Sequence, residues 1–280
     1  MARVIWTEPR LREPNNLVRR AARGGEAATP MERVGLRAAA RLFARHQPVT
    51  TSMVALALII PMYLVIGGIL IPGRVVHEPA IWLDLAIQLE PSWALIYLSL
   101  FLAALLPAFV VHQQEMLGRT VNAFLAMWLV AYVFFLVYPT IGPRPIAKVV
   151  GDDFSAWLVR SIYSSDFRYN CFPSLHVAQC FLAALVCHHI HRGVGAAAGI
   201  WAGLVGVSTV YTKQHYVLDV IAGALLAYFA YFVFLRSYPR EATPEIERRL
   251  APLLALGAVG TYGLMVGILW IAYMSGFTIS

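Results

Sequence analysis

A histidine and an aspartate at helical spacing give the strongest chemical signal in the chain. They are His215 and Asp219, within the stretch Gln-His-Tyr-Val-Leu-Asp-Val-Ile-Ala-Gly at residues 214–223. Residues four apart stack on one face of a helix, so the carboxylate can accept the imidazole Nδ1–H. The other ring nitrogen, Nε2, is then free to act as a base or a nucleophile.

A second polar stretch, Tyr-Asn-Cys-Phe-Pro-Ser-Leu-His-Val at residues 169–177, runs directly into an apolar segment. Pro173 suits the first turn of the helix predicted there, because that turn leaves its N–H groups unpaired and proline has none. Ser174 and His176 then project from that first turn. The chain thus contains two junctions between a loop and a helix, and each junction carries a histidine.

Both junctions favour the binding of an anion. A helix N-terminus presents unpaired N–H groups and the positive end of the helix dipole, and Arg144 and Lys213 are predicted to lie at the same rim. The residues therefore predict a site of two histidines and one carboxylate for anionic esters, with phosphate as the obvious anion. A divalent metal ion bound by His176, His215 and Asp219 is the competing interpretation. The two cations would repel such an ion, which weakens that interpretation without excluding it.

The composition is that of a polytopic membrane protein. Of 280 residues, 59% are hydrophobic and 13% are charged, whereas soluble domains are about 45–50% apolar and about 25% charged. The net charge of +7 lies mostly in residues 1–49, which indicates lipid headgroups and membrane topology, not nucleic acid. The cysteines form no CxxC pattern, so we predict small buried side chains and neither a disulfide framework nor a zinc site. They are Cys171, Cys180 and Cys187.

Seven apolar runs have about the length of a membrane-spanning helix. We therefore predict an all-α integral membrane helix bundle with six core spans and a seventh. Three regions follow: a basic cytoplasmic arm at 1–49, a phosphatase or phosphotransferase membrane domain at 50–238, and a link with an extra transmembrane helix at 239–280. The predicted spans are 53–71, 93–111, 121–138, 175–190, 196–210, 216–235 and 250–274.

The distribution of arginine predicts the orientation in the membrane. Ten arginines lie in the first 49 residues, and the positive-inside rule places that arm in the cytoplasm. The number of spans then brings both histidine junctions to the extracytoplasmic face. A helix predicted at 31–46 places four arginines in a stripe, which indicates either an interfacial helix on an anionic cytoplasmic leaflet or a solvated arm. The stripe consists of Arg33, Arg37, Arg41 and Arg45. The acids of the outward loop 72–92 could touch the rim of the site, but solvated charges are the favoured interpretation; they are Glu78, Asp84 and Glu90.

Pro-Ser-Leu-His at 173–176, followed by His-Tyr-Val-Leu-Asp-Val at 215–220, resembles the type 2 phosphatidic acid phosphatase superfamily. The likeness is greatest to the branch that holds inositol phosphorylceramide synthases and sphingomyelin synthases. The resemblance implies that His215 attacks phosphorus and forms a phosphohistidine-type intermediate, while Asp219 holds its imidazole. It also implies that His176 protonates the leaving oxygen and that neither a metal nor another cofactor is required.

The phosphate contacts depart from the pattern of that superfamily. By the resemblance, Arg144 and Ser174 bind phosphoryl oxygens. The pattern expects a lysine where this chain has Val137, an arginine where it has Thr209, and a glycine where it has Leu175. Two phosphate-binding cations are therefore missing, and other basic residues are expected to replace them. The candidates are Lys213, Arg168 and Lys148.

The acceptor decides which reaction such a site performs. Water as the acceptor makes the enzyme a phosphatase, and a lipid hydroxyl makes it a headgroup phosphotransferase; membrane lipids are the expected partners in both cases. The missing cations motivate an alternative, a non-catalytic or weakly catalytic lipid-binding or transport protein with a degenerate site. A metal-dependent hydrolase is the third possibility.

Overall fold

The computed structural model describes residues 38–42, 48–145 and 151–277. Most of the predicted amphipathic helix and its arginine stripe lie outside these residues, and so does Lys148. Residues 38–42 are helical, and within them Ala39 and Leu42 are buried against Leu250 and Leu254. The described part of the arm therefore packs on protein. Its contact with an anionic leaflet stays a prediction.

The prediction of an all-α fold is confirmed, because the described residues contain helices and two isolated β-bridges but no strand. In chain order the helices are α1 (Thr51–Ile59), α2 (Met62–Val65), α3 (Trp82–Ala86), α4 (Ala94–Leu98), α5 (Leu100–Val110), α6 (Gln114–Val137), α7 (Phe154–Ser165), α8 (Leu175–Ile190), α9 (Arg192–Tyr211), α10 (Val217–Phe234) and α11 (Glu245–Met274). A π-helical turn (Ile66–Leu70) continues α2, and a 3₁₀ turn (Pro91–Trp93) precedes α4.

Within the described ranges, six helical segments are long and apolar enough to cross a membrane. Four of them are the single helices α6, α9, α10 and α11, and two are composite, Thr51–Leu70 and Pro91–Val110. α8 is a shorter apolar helix. Each of the seven predicted spans therefore coincides with a helical segment.

Three of these helices, α6, α9 and α11, begin earlier than their apolar runs, at residues predicted to lie in polar links. α6 begins at a cap in which Gln113 Oε1 accepts the Met116 N–H at 2.6 Å. α9 begins at a cap in which His191 Nδ1 accepts the Val194 N–H at 3.1 Å. A capped first turn is stable without apolar side chains, because the cap pairs N–H groups that the helix leaves open. Hydropathy alone therefore places these starts too late.

α8 forms the centre of the bundle. Eleven of its 16 residues are buried, as expected for a helix that is apolar on all sides, and α5, α6, α9 and α10 pack around it. Ser174 caps α8, since its Oγ accepts the Val177 N–H at 3.3 Å. Pro173 therefore precedes the helix and does not open it, which corrects the position expected from the sequence. His176 lies in the first turn, as predicted.

α8 and α10 come into backbone contact at Gly223. A Cβ atom at this position would lie 2.4 Å from the Ser174 carbonyl oxygen and 3.4 Å from the Ala178 backbone nitrogen. Close by, the Ser174 N–H donates to the Asp219 carbonyl oxygen at 3.0 Å. Only glycine permits so close an approach, so this residue sets the distance between the two histidine junctions.

The last helix, α11, joins the two ends of the bundle. Its first turns pack against residues 38–42. Beyond its other end, the Phe277 carbonyl oxygen accepts the indole N–H of Trp157 in α7 at 2.9 Å. The described part of the N-terminal arm and α7 therefore lie at opposite ends of the bundle.

Candidate active site

The three side chains that the sequence selects for chemistry lie together. His215 Nδ1 is 3.4 Å from Asp219 Oδ2, and His215 Nε2 is 2.9 Å from His176 Nδ1. The predicted pairing through Nδ1 is present, but Nε2 is not free, because it faces the second imidazole. Two ring nitrogens at this distance share a proton, since one must donate while the other accepts.

The start of α10 fixes the position of Asp219. Its Oδ2 accepts the Tyr216 backbone N–H at 2.9 Å, the contact that an acid makes at the third position of a capped helix. The sequence analysis placed His215 on the same helix, but α10 begins at Val217 and His215 precedes it. The 3.4 Å between His215 and Asp219 exceeds the roughly 2.7–2.9 Å of a charge-assisted hydrogen bond, so the pair is in electrostatic contact.

A second buried carboxylate, Asp84, supports the same junction. Asp84 is 5% exposed, and its Oδ1 accepts the Val217 N–H at 2.9 Å. Its Oδ2 accepts the Ile81 N–H at 2.9 Å, so one side chain serves the starts of both α3 and α10. The prediction of a solvated charge is therefore wrong for Asp84. The two partners are 133 residues apart, and no local pattern indicates such a contact.

The second histidine faces an acid that the sequence analysis missed. His176 Nε2 lies 4.0 Å from Asp166 Oδ2, and Asp166 Oδ1 accepts the Tyr63 hydroxyl hydrogen at 3.0 Å. Arg144 Nη2 lies 3.7 Å from the same carboxylate. The rings of Tyr63 and Tyr97 flank His176 with centroid distances of 6.3 and 5.7 Å. Asp166 therefore belongs to the site, although no helical spacing relates it to His176.

Two of the four predicted phosphate ligands, Arg144 and Ser174, adjoin these groups. Arg144 Nη1 donates to the carbonyl oxygens of Tyr163 and Asp166 at 3.1 and 2.8 Å. Its Nη2 donates to the Gln214 side-chain oxygen at 2.7 Å, which places the guanidinium group beside the residue that precedes His215. Ser174 is fully buried at the start of α8. Phosphate binding by either residue stays a prediction.

The other two predicted ligands, Lys213 and Arg168, make their described contacts with backbone oxygens. Lys213 Nζ donates to the carbonyl oxygens of Asp84 and Ile87 at 3.0 and 2.5 Å. Burial lowers the pKa of this lysine, and the Asp84 carboxylate opposes that shift. Arg168 Nη2 donates to the Arg144 carbonyl oxygen at 3.5 Å. A phosphate role for these two residues also stays a prediction.

Cys171 is a further buried neighbour of the pair formed by His215 and Asp219. One ligand atom from each of these three residues lies within 4.8 Å of the others. Burial raises the pKa of the Cys171 thiol well above its ordinary value of 9.0, and the negative charge of Asp219 adds to the shift. The prediction that all three cysteines are buried is confirmed. No local pattern indicates that one of them lies beside a histidine and a carboxylate.

Comparison with protein families links this geometry to a known group. Residues 75–233 match the sequence profile of the PAP2 superfamily, which is more than half of the chain. The matched region contains both histidine junctions and the helices from α3 to most of α10. The first composite span and α11 lie outside it.

Two individual proteins also resemble the chain. A PA-phosphatase related-family protein of Dictyostelium discoideum is 27% identical over 135 residues, which is 42% of this chain and 24% of that protein. The chain thus spans about a quarter of the length of this curated relative. The crystal structure of Aquifex aeolicus LpxE aligns at 19% identity with a TM-score of 0.40, over 63% of this chain and 94% of that chain.

Proposed function

The chain belongs to the PAP2 superfamily, and on that premise we propose that it is an integral membrane enzyme that breaks phosphoester or phosphoanhydride bonds of lipids. The observation that carries the proposal is the buried row in which Asp219 faces one nitrogen of His215 and His176 faces the other. An imidazole oriented by a carboxylate is suited to nucleophilic attack, and an adjacent imidazole is suited to proton transfer.

In the proposed first step, His215 Nε2 attacks phosphorus and the bond between phosphorus and the leaving oxygen breaks. Asp219 stabilises the positive charge on the His215 ring. His176 gives its proton to the leaving oxygen, so the lipid leaves as an alcohol when the bond is an ester. In the second step His176 takes a proton from the acceptor hydroxyl as its oxygen attacks phosphorus, and the bond between phosphorus and His215 Nε2 breaks to free the imidazole. Water yields free phosphate, and a lipid hydroxyl yields headgroup transfer.

The phosphorus atom enters this site between the two rings. They are now hydrogen-bonded at 2.9 Å, and attack requires an approach of about 3–3.5 Å between His215 Nε2 and phosphorus. The rings must therefore separate when substrate binds. The His176 side chain is 14% exposed and the His215 side chain 2%, so His176 is the ring that moves in this proposal.

The transferring phosphoryl group is held, in this proposal, by two helix starts and by side chains around them. α8 and α10 both begin at the site, and the positive ends of their helix dipoles favour an anion. Ser174 Oγ accepts a backbone hydrogen bond, which leaves its own hydroxyl hydrogen to donate to a phosphoryl oxygen. Arg144 supplies positive charge next to Gln214. Two further cations exchange their backbone contacts for phosphate as substrate binds, namely Arg168 and Lys213.

The surroundings of the site favour a lipid as the substrate. Cys180, one helical turn beyond His176 in α8, lines a cavity of about 640 Å³ between α5, α9 and α11. Its other walls are mostly aliphatic and aromatic, and include Leu106, Trp201 and Leu256. The cavity extends to His191 and Val194 at the far end of α8, so a hydrocarbon chain that runs inward from the site along α8 would pack against its apolar walls.

Three finer assignments belong to the same proposal. The leucine at 175 and the two missing cations support the branch of inositol phosphorylceramide and sphingomyelin synthases. The arginine-rich arm, whose described residues lie at the end of the bundle opposite α7, supports a site on the extracytoplasmic face. The position of α11 outside the matched region 75–233 supports a core domain at 50–238 with an added helix at 239–280.

Phosphate release by the purified enzyme, measured with and without an added lipid alcohol, tests the proposal and separates hydrolysis from transfer. His215→Ala is expected to abolish turnover of either kind. His188→Ala is the matched control, because this histidine is exposed near the far end of α8, and it is expected to keep full activity. Turnover that persists in His215→Ala would refute the proposed function, and loss of activity on adding a chelator would indicate a metal-dependent hydrolase.

A lipid-binding or transport protein with a degenerate site is the second candidate. The hydrophobic residue at 137 and the threonine at 209, which replace the expected cations, favour it. Under this alternative the wild-type protein binds a radiolabelled phospholipid but neither releases phosphate nor transfers a headgroup. His215→Ala would then bind the lipid as well as the wild type does.

A further inference from the structure

We infer that Cys171, His215 and Asp219 form a binding site for a soft divalent ion, represented by Zn²⁺, and that the bound ion inhibits the enzyme. The site would be built from the Cys171 sulfur, His215 Nδ1 and one carboxylate oxygen of Asp219. The inhibition rests on the function proposed above, whereas the binding of the ion does not.

The first support is the geometry of the three ligands. Their ligand atoms lie within 4.8 Å of one another, and the residues are 3%, 2% and 0% exposed for Cys171, His215 and Asp219. Zinc binds sulfur at about 2.3 Å and nitrogen or oxygen at about 2.0–2.2 Å, so tetrahedral ligand atoms lie about 3.3–3.7 Å apart. A contraction of at most about 1.5 Å would therefore bring these three atoms to zinc distances.

The second support is a pair of buried polar atoms without partners. Within the residues that the structure describes, neither His215 Nδ1 nor Asp219 Oδ1 has a hydrogen-bond partner. Buried polar atoms are paired in nearly all folded proteins, and an exception calls for a ligand or a functional reason. Both atoms belong to the proposed ligand set, and an ion between them would satisfy both.

The electrostatic objection raised from the sequence loses its force in the structure. Of the two cations expected to repel a metal ion, Lys213 donates to the carbonyl oxygens of Asp84 and Ile87. The other, Arg144, lies 3.7 Å from the carboxylate of Asp166. The positive charges of Arg144 and Arg168 still act on the Cys171 thiol, but they act less strongly than the carboxylates of Asp219 and Asp166.

The donor set determines which ion fits. A sulfur ligand selects zinc and other soft ions over Mg²⁺ and Ca²⁺, which prefer oxygen. A coordinated thiol loses its proton to the ion, so the thiol of Cys171 need not be ionised beforehand. Three protein ligands leave a fourth position for water.

Binding of the ion opposes the proposed chemistry at two points. A neutral imidazole that binds the ion through Nδ1 carries its one ring proton on Nε2, so the nitrogen that must attack phosphorus is protonated. The ion also takes the carboxylate of Asp219, which then no longer stabilises the charged ring. The proton released is that of the Cys171 thiol, while the ring proton of His215 moves from Nδ1 to Nε2.

The test combines two titrations of the purified, full-length enzyme with Zn²⁺ and Co²⁺. Zn²⁺ at buffered free concentrations is expected to inhibit turnover, a chelator to restore it, and Mg²⁺ to have no effect. Cys171→Ser and Cys171→Ala are expected to keep basal activity and to need at least about tenfold more Zn²⁺ for half inhibition. Cys187→Ser, which changes a buried cysteine of α8 outside both the proposed ion site and the cavity, is expected to match the wild type.

The Co²⁺ titration reports binding without turnover. Co²⁺ is expected to give a thiolate charge-transfer band in the wild type and in Cys187→Ser, but not in Cys171→Ser. Equal inhibition of Cys171→Ser and the wild type, insensitivity of the wild type to Zn²⁺, or a cobalt–thiolate band that survives in Cys171→Ser would overturn the inference. Because the band needs no substrate, failure of the ion site is distinguishable from failure of the proposed function.

Discussion

Replacement of Gly223 by alanine is expected to lower kcat about 100-fold while the protein stays folded. The new Cβ would lie 2.4 Å from the Ser174 carbonyl oxygen, and ordinary contact begins at 3.4 Å. α8 and α10 must therefore separate by about 1 Å at this point, because packed backbones cannot overlap. The separation moves His176 away from His215, and a misplacement of about 1 Å costs about 10²-fold in rate.

The loss of stability in Gly223→Ala is expected to leave the protein folded. Overpacking of a well-packed interior costs about 1–3 kcal/mol, and alanine recovers up to about 1 kcal/mol through its higher helix propensity. The assay is the rate of phosphate release from phosphatidic acid in mixed micelles, with the Tm of each variant measured in the same detergent.

Gly203→Ala in α9 is the matched control for this experiment. Its new Cβ would meet no described atom within 4 Å, so full activity and an unchanged or higher Tm are expected. Full activity in Gly223→Ala would refute the reasoning, because the crossing of α8 and α10 would then not set the distance between the histidines. An equal loss of kcat in Gly223→Ala and Gly203→Ala would also contradict the reasoning, since a general intolerance of alanine in these helices would then explain both results.

Three more predictions concern buried acids and the buried thiol. Asp166→Asn removes the charge that faces His176 and is expected to lower kcat by up to the ~10²–10⁴-fold that a general acid contributes. The control is Asp153→Asn at the N-cap of α7, which should keep the wild-type rate because asparagine also caps the helix. Asp84→Ala leaves the partly buried N–H groups of Ile81 and Val217 without their partner, at a cost of up to about 1–3 kcal/mol each, so thermal unfolding should show a lower Tm. Burial raises the pKa of Cys171 above 9.0, so the folded state holds that proton more tightly than the unfolded state. The stability that this proton contributes is complete below about pH 9 and is lost as the pH rises. Between about pH 8.5 and about pH 10 the wild-type Tm should therefore fall more steeply than the Tm of Cys171→Ser. Parallel curves of Tm against pH would contradict this.

The membrane spans could be predicted because hydropathy and length report directly on whether a helix can lie in lipid. The last span of the family region was predicted at 216–235, and α10 occupies Val217–Phe234. Hydropathy missed the early starts of α6 and α9, because those turns are stabilised by capping side chains and not by apolar ones. Pro173 was assigned to α8 for a related reason, since Ser174 provides the cap one residue later.

The site could be predicted only as far as local spacing and the family resemblance reach. The contact of His215 with Asp219 follows from their separation of four residues. His176 is 39 residues from His215, and its place in the site is predicted by the number of spans, which brings both histidine junctions to one face, and by the resemblance. Asp166 and Asp84 reach the site through loop packing, which leaves no periodic trace in the sequence. The sequence therefore indicates both histidines and Asp219, but not the two further carboxylates around them.

The central claim is that His215 carries the phosphoryl group during turnover. The direct test is to mix wild-type enzyme with lipid labelled in its phosphate, quench rapidly at alkaline pH, and locate the label by peptide mapping. The account predicts an acid-labile phosphoryl group on the peptide that contains His215, and none in His215→Ala. Turnover with no labelled protein, or with the label on another residue, would contradict it.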